Sequence, residues 1–225
     1  METAIAVMLW IHVLAGTTAL LMAPGALLTV KGGRAHRRWG KIYFWAMATV
    51  AATALVVGFW RSRFFLMLVA VFSFYAALSA YRVLSRKRPA LGQRATALDW
   101  VASLLALGAG GALIAFGIVK PTPAWREIGT VAVVFGTLSL ALALRDLWAF
   151  VKPPADPHAW WYQHMGNMMG SYIAAVTAFS VVNFGFLPTT VRWLWPTVVG
   201  SPLILIWVTY YRIRFSRAKE AARPA

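Results

Sequence analysis

The sequence predicts an all-α fold, a polytopic membrane bundle of seven transmembrane helices in a single domain spanning residues 1–225. Three observations carry this. First, 60% of the 225 residues are apolar and only 12% are charged, against about 45–50% and about 25% in soluble domains. Second, the apolar residues fall in blocks of about 18 to 27, the length that crosses a bilayer. Third, the basic residues alternate in density from one inter-block loop to the next. This composition excludes a disordered chain, a collagen, a coiled coil and an ordinary soluble enzyme.

The spans are taken in order as about 4–30, 39–60, 64–82, 95–119, 125–150, 160–187 and 191–211. No basic residue precedes the first apolar run, so helix 1 reads as a retained span rather than a secretory signal. Within it, Pro24-Gly25 predicts a kink, because proline removes a backbone donor and clashes one turn back. His12, Gly16, Ala19 and Ala23 form a small-residue stripe on the same helix. Helix 4 carries Gly108, Gly110 and Gly111. Helix 6 carries Gly166, Gly170 and Ala174 at spacing four, which predicts close approach to another helix, since small residues let backbones meet in lipid. Thr96 and Asp99 read as a T-x-x-D capping pair at the start of helix 4. Asp156-Pro157 reads as N-cap and first residue of helix 6.

Charge sets the orientation. Lys31, Arg34, Arg37, Arg38 and Lys41 follow helix 1, and Arg82, Arg86, Lys87, Arg88 and Arg94 follow helix 3. Arg145 and Lys152 separate helices 5 and 6, and Arg212, Arg214, Arg217, Lys219 and Arg223 end the chain. Only Arg61, Arg63, Lys120, Arg126 and Arg192 fall on the other side. The basic side is expected to be cytoplasmic, with the N-terminus outside and the C-terminus inside a bacterial cytoplasmic (inner) membrane. Most of the 12 tryptophans, among them Trp39, Trp60, Trp125, Trp160 and Trp161, fall near predicted span ends, where indole rings favour the headgroup level.

The net charge of +16 therefore belongs to topology. The basic residues are spread over every loop of one side and no reader domain exists, so no nucleic-acid partner is expected. Those loops should attract anionic lipid headgroups. Protein partners or a second copy of the chain are left open. The absence of cysteine rules out disulfides, thiolate metal sites, iron–sulfur clusters and covalent haem attachment.

Ionisable groups inside spans are costly and point to function. The histidines are His12, His36, His158 and His164, and the acids near the membrane are Asp99, Asp146 and Asp156. At about 1.5 Å per helical residue, His12 lies roughly 12 Å below the outer surface and His164 roughly 6 Å inside the cytoplasmic one. His36 opens helix 2, and Asn167 and Ser171 share a helical face with His164. His36, Asp99, His164, Asn167 and Ser171 are expected to converge in a polar cytoplasm-facing pocket rimmed by Arg37 and Arg38, with His12 as a further polar residue facing outward. His158 is expected in a solvated first turn.

Four functions compete for these residues. One is a scaffold or partner subunit in which the histidines are structural. A second is a proton-coupled small-molecule transporter with His164 and Asp99 as a titrating pair, against which stands the absence of an inverted repeat. A third is a b-haem-binding redox protein, with His36 and His164 as ligands and Arg37 or Arg38 near the propionates. An intramembrane metal hydrolase is the fourth; no HExxH-type spacing supports it and no metal site is expected.

Two stretches also carry a resemblance. They are IHVLAGTTALLMAPGALLTVKGGRAHRRWGKIYFWAM, from Ile11 to Met47, and WWYQHMGNMMGSYIAAVTAFSVVN, from Trp160 to Asn183, the latter followed by WLWPTVVGSPLI from Trp193 to Ile204. Together they resemble a family of predicted bacterial multi-span membrane proteins classed as a domain of unknown function. The resemblance implies fold and location and no particular activity. A histidine within helix 1 and another opening helix 2 are similar to transmembrane b-type cytochromes.

Overall fold

The computed structural model describes residues 2–119 and 123–221, with side chains left out for 123–127 and 218–221. Lys120 and Arg223 of the charge pattern lie outside the described residues, as do the side chains of Trp125, Arg126 and Lys219. Seven helices long and apolar enough to cross a membrane are found among the described residues. They are α1 (Glu2–Leu28), α2 (Arg34–Trp60), α3 (Phe64–Arg82), α4 (Ala97–Val119), α5 (Pro123–Val151), α6 (Ala159–Asn183) and α7 (Thr189–Ala221). Helices satisfy every backbone group internally, which lipid demands. The chain is an integral membrane protein of seven α-helices.

The ends move for physical reasons. α2 starts five residues before the predicted 39, because the RAHRR run is helical but too polar to register as apolar. α7 runs ten residues past 211 for the same reason. α6 stops at Asn183, whose side-chain amide donates to Phe179 O at 2.8 Å, four residues short of 187. It also starts at Ala159, so Pro157 is not its first residue. Asp156 instead accepts from the His158 backbone N–H at 2.8 Å, a turn ahead of the helix. α1 continues through Pro24. Its last carbonyls are taken by Thr29 Oγ1, 2.8 Å from Gly25 O, and by the Lys31 ammonium on Leu27 O.

α3 is the hub and packs against α2, α4, α5 and α6. The hairpins α1–α2 and α4–α5 flank it. α7 lies on α6 and touches α5. Apolar clusters fill both halves. Ala19, Ala23, Tyr43, Met47 and Ala77 form one, and Leu113, Val131, Phe135 and Trp193 another. α1 presents large apolar side chains such as Trp10 and Leu14 to the surroundings. The loops α1–α2, α3–α4 and α5–α6 share one end with the C-terminal part of α7, here termed the basic face.

The close helix approach is not where the α6 glycine stripe predicted it. A Cβ on Gly170 would meet nothing within 4 Å, and one on Gly166 would touch only Ile204 at 3.8 Å. The tight seam lies between α4 and α5. A Cβ on Gly136 would come within 2.6 Å of Gly110 O, and one on Gly117 within 2.6 Å of Gly129 O. Spacing of small residues marks a thin face, but the partner's shape decides whether it is filled. On α6 the residues turned to α3 are polar, Gln163 and Asn167, both bonded to Ser79.

Candidate functional site

The residues expected in one pocket form two separate clusters at the basic face, plus two single bonds. The larger cluster is built on α3. Tyr75, Ser79 and Arg82 follow one another at helical spacing, so they line one stripe that turns onto α4, α5 and α6, and Arg86 follows just past the 3-10 turn Val83–Ser85 that extends α3. Asp146 of α5 is 1% exposed and sits at its centre. Its Oδ2 accepts from Tyr75 Oη at 2.8 Å and from Ser79 Oγ. Its Oδ1 accepts from Arg145 Nη2 at 2.8 Å and Gln163 Nε2 at 3.0 Å. Tyr75 Oη also meets Ser103 Oγ at 2.9 Å. Asn167 donates to Ser79 Oγ at 3.0 Å and accepts from Arg145 Nη2 at 3.1 Å.

Asp99, also buried, belongs to the same group through α3. Arg82 grips it in a two-pronged pair, Nε to Oδ1 at 3.1 Å and Nη2 to Oδ2 at 2.9 Å. Thr96 donates to Oδ2 from both backbone N–H and hydroxyl at 2.8 Å, which is the capping contact that the T-x-x-D spacing predicts. A water-sized cavity lies between the two carboxylates. The group thus holds three guanidinium side chains, Arg82, Arg86 and Arg145, against two carboxylates. Every oxygen of Asp99 and Asp146 has donors aimed at it, and such saturation is what keeps a buried polar network from costing stability.

The second cluster is the histidine pair. His36 and His164 face each other across α2 and α6 with ring centroids 6.3 Å apart and planes at 73°. His36 Nδ1 lies 3.0 Å from Ala26 O, and His164 Nδ1 lies 2.8 Å from Ala80 O. A backbone carbonyl only accepts, so Nδ1 carries the proton in both rings. The neutral tautomer then leaves a lone pair on each Nε2, and neither Nε2 has a hydrogen-bond partner among the described residues. Metal-ligating histidines are oriented in this way, with the other ring nitrogen donating to a carbonyl. Gly40 lies one turn after His36, and a Cβ there would meet nothing within 4 Å.

The remaining candidates fall elsewhere. Arg37 and Arg38 are exposed beside His36. Ser171 receives the Tyr43 hydroxyl at 2.6 Å, deeper between α2 and α6. His12 stands alone in the opposite half, with Nδ1 2.9 Å from Thr53 Oγ1. His158 stacks on Phe215, centroids 4.3 Å apart. Asp99 is committed to Arg82 rather than to His164. Sequence reasoning counted Arg82 and Arg86 with the basic residues after helix 3, named Asp146 as an acid near the membrane without giving it a role, and passed over Tyr75, Ser79 and Gln163. The i, i+4, i+7, i+11 spacing of Tyr75, Ser79, Arg82 and Arg86 was the signal for these four; Asp146 and Gln163 lie on other helices.

No family model, curated protein or solved structure matches the chain.

Proposed function

We propose that the protein binds b-type haem at the cytoplasmic end of the bundle, with His36 and His164 as the two axial ligands, and serves as a membrane redox or haem-handling protein. The observation that carries the reading is the pair of imidazoles with both Nδ1 atoms tied to carbonyls and both Nε2 atoms uncommitted. The two rings are close, with centroids 6.3 Å apart, so that His36 and His164 would hold one metal centre between them. The donor set fits as well. Among the described residues no group of three or more His, Asp or Glu side chains could hold a metal ion. A bare zinc ion takes three or four protein ligands, whereas haem brings four nitrogens and needs two from the protein. Nothing lies within 4 Å of a Cβ position on Gly40, one turn after His36, and the exposed Arg37 and Arg38 would hold the propionates. Bound haem would supply one-electron chemistry. The protein's own residues fix tautomer, ring orientation and access.

In this reading the protein lies in a bacterial cytoplasmic membrane with its basic face in the cytoplasm, where anionic headgroups would meet it. The two ligands fall in the two stretches that carry the family resemblance. A scaffold role is favoured for the Asp99–Asp146 cluster, because its saturation makes it glue between α3, α4, α5 and α6. Two experiments test the proposal. The protein expressed with haem supplied and purified in detergent should show the absorption bands of a six-coordinate b haem; a colourless protein that also fails to take up added hemin overturns the reading. A reporter fused after Ala225 should behave as cytoplasmic, and periplasmic activity would reverse the orientation.

A further inference from the structure

We infer that the cleft between the α3–α4 and α5–α6 connections binds the phosphate group of an organic phosphate ester, with Arg86 as its central contact. This site is separate from the histidine pair and does not depend on it. The cleft has a volume of about 810 Å³, and its walls carry Arg86, Lys87, Arg88 and Arg94 against one acid, Asp156. That imbalance alone would describe any basic loop. Arg86 is what makes it a site.

The Arg86 side chain is only 10% exposed, and its guanidinium lies 4.5 Å over the Phe150 ring. Its Nε is buried with no hydrogen-bond partner. Its Nη2 is 3.8 Å from Asp99 Oδ1, beyond hydrogen-bond length, because Arg82 already occupies both oxygens of that carboxylate. Burial accordingly pushes the Arg86 pKa below its ordinary value, opposed by Asp99 and Asp146, yet guanidinium stays charged. The charge is answered at longer range by Asp99, but the buried Nε–H has no acceptor, and a buried donor left unpaired is costly. An anion entering the cleft removes that cost, and it also balances the one guanidinium in excess over the two carboxylates.

The chemistry of the anion follows from the walls. Guanidinium presents a planar fork of donors that suits the oxygens of a phosphate. Inorganic phosphate would fill little of the cleft, whose size is that of pockets for organic ligands. Apolar surface from Phe150, Leu91 and Trp160 lines the rest, and Lys87 is held 4.5 Å over the Trp160 ring. A phospholipid headgroup at the membrane surface and a soluble phosphate ester share this chemistry.

The test is a titration of the full chain in neutral detergent, read as thermal stability, with phosphatidylglycerol, phosphatidylcholine and glycerol 3-phosphate as probes. Phosphatidylglycerol should raise Tm with saturation and phosphatidylcholine should not. Arg86→Gln should raise the half-saturating concentration about tenfold, and Arg61→Gln on the far side should leave it unchanged. Should Arg86→Gln fail to fold, the double variant Lys87→Gln/Arg94→Gln is read in its place and should raise it severalfold. An equal response to glycerol 3-phosphate, with the same variant dependence, assigns the site to a soluble ester; response to the lipid alone assigns it to a headgroup. The inference is overturned if neither phosphatidylglycerol nor glycerol 3-phosphate raises Tm, or if the cleft variants titrate like the unaltered protein.

Discussion

The carboxylate cluster and the histidine pair are neighbours by one residue on two helices. Ser79 of α3 and Gln163 of α6 serve Asp146, while the next residues, Ala80 and His164, build the pair. Both regions place polar atoms at the same depth in the same bundle. In the first, every carboxylate oxygen meets donors and the side chains close on one another. In the second, one nitrogen of each ring is pinned and the other is left over. In a lipid-facing fold the first arrangement holds helices together, since an unpaired polar group is costly there. The second leaves the Nε2 lone pair of each ring open to a ligand. The difference lies in what is left open: at the edge of the first region a single buried donor, Arg86 Nε, and in the second two ring nitrogens that a ligand can take.

Removing the centre of the closed cluster should produce the largest effect. Asp146→Ala removes the shared acceptor of Tyr75, Ser79 and Gln163, and each buried polar group left unsatisfied costs about 1–3 kcal/mol. A thermal melt in detergent should drop sharply; an unchanged melt would mean that the cluster is not structural. The two glycine faces give a smaller effect of the same kind. Gly136→Ala drives a Cβ towards Gly110 O and Ile114 Cγ1 in the α4–α5 seam, for which overpacking costs about 1–3 kcal/mol. Gly170→Ala enters open space and should stay within about 0.5 kcal/mol of the unaltered protein. Equal melts for the two would show that the seam yields. His164→Ala should cost least among the buried polar substitutions at the basic face. It loses one bond, to Ala80 O, worth about 1 kcal/mol, and any larger loss would move His164 into the structural class.

Much of the architecture was legible because hydropathy and charge act over whole helices. Seven spans followed from block length, and the errors at α2 and α7 came from helix that continues through basic residues, where hydropathy falls but the backbone ladder does not. The site was legible only in part. His36 and His164 stood out as ionisable residues at matched depth. Their Nδ1 partners are the carbonyls of Ala26 and Ala80, which carry no side-chain signature. Asp146 stood out as an acid near the membrane but received no role, because its partners Tyr75 and Ser79 lie 71 and 67 residues earlier and Gln163 lies 17 residues later on another helix. The glycine stripe on α6 misled for a related reason: sequence records which residues are small, and the shape of the facing helix is absent from it.

The most direct test of the histidine pair is a reduced-minus-oxidised absorption spectrum of the haem-supplied protein and of its four single His→Ala variants. The account predicts a b-haem difference spectrum that persists in His12→Ala and His158→Ala, and that is lost or converted to a five-coordinate form in His36→Ala and His164→Ala. A spectrum that survives unchanged in both His36→Ala and His164→Ala, or that vanishes in His12→Ala alone, would contradict it.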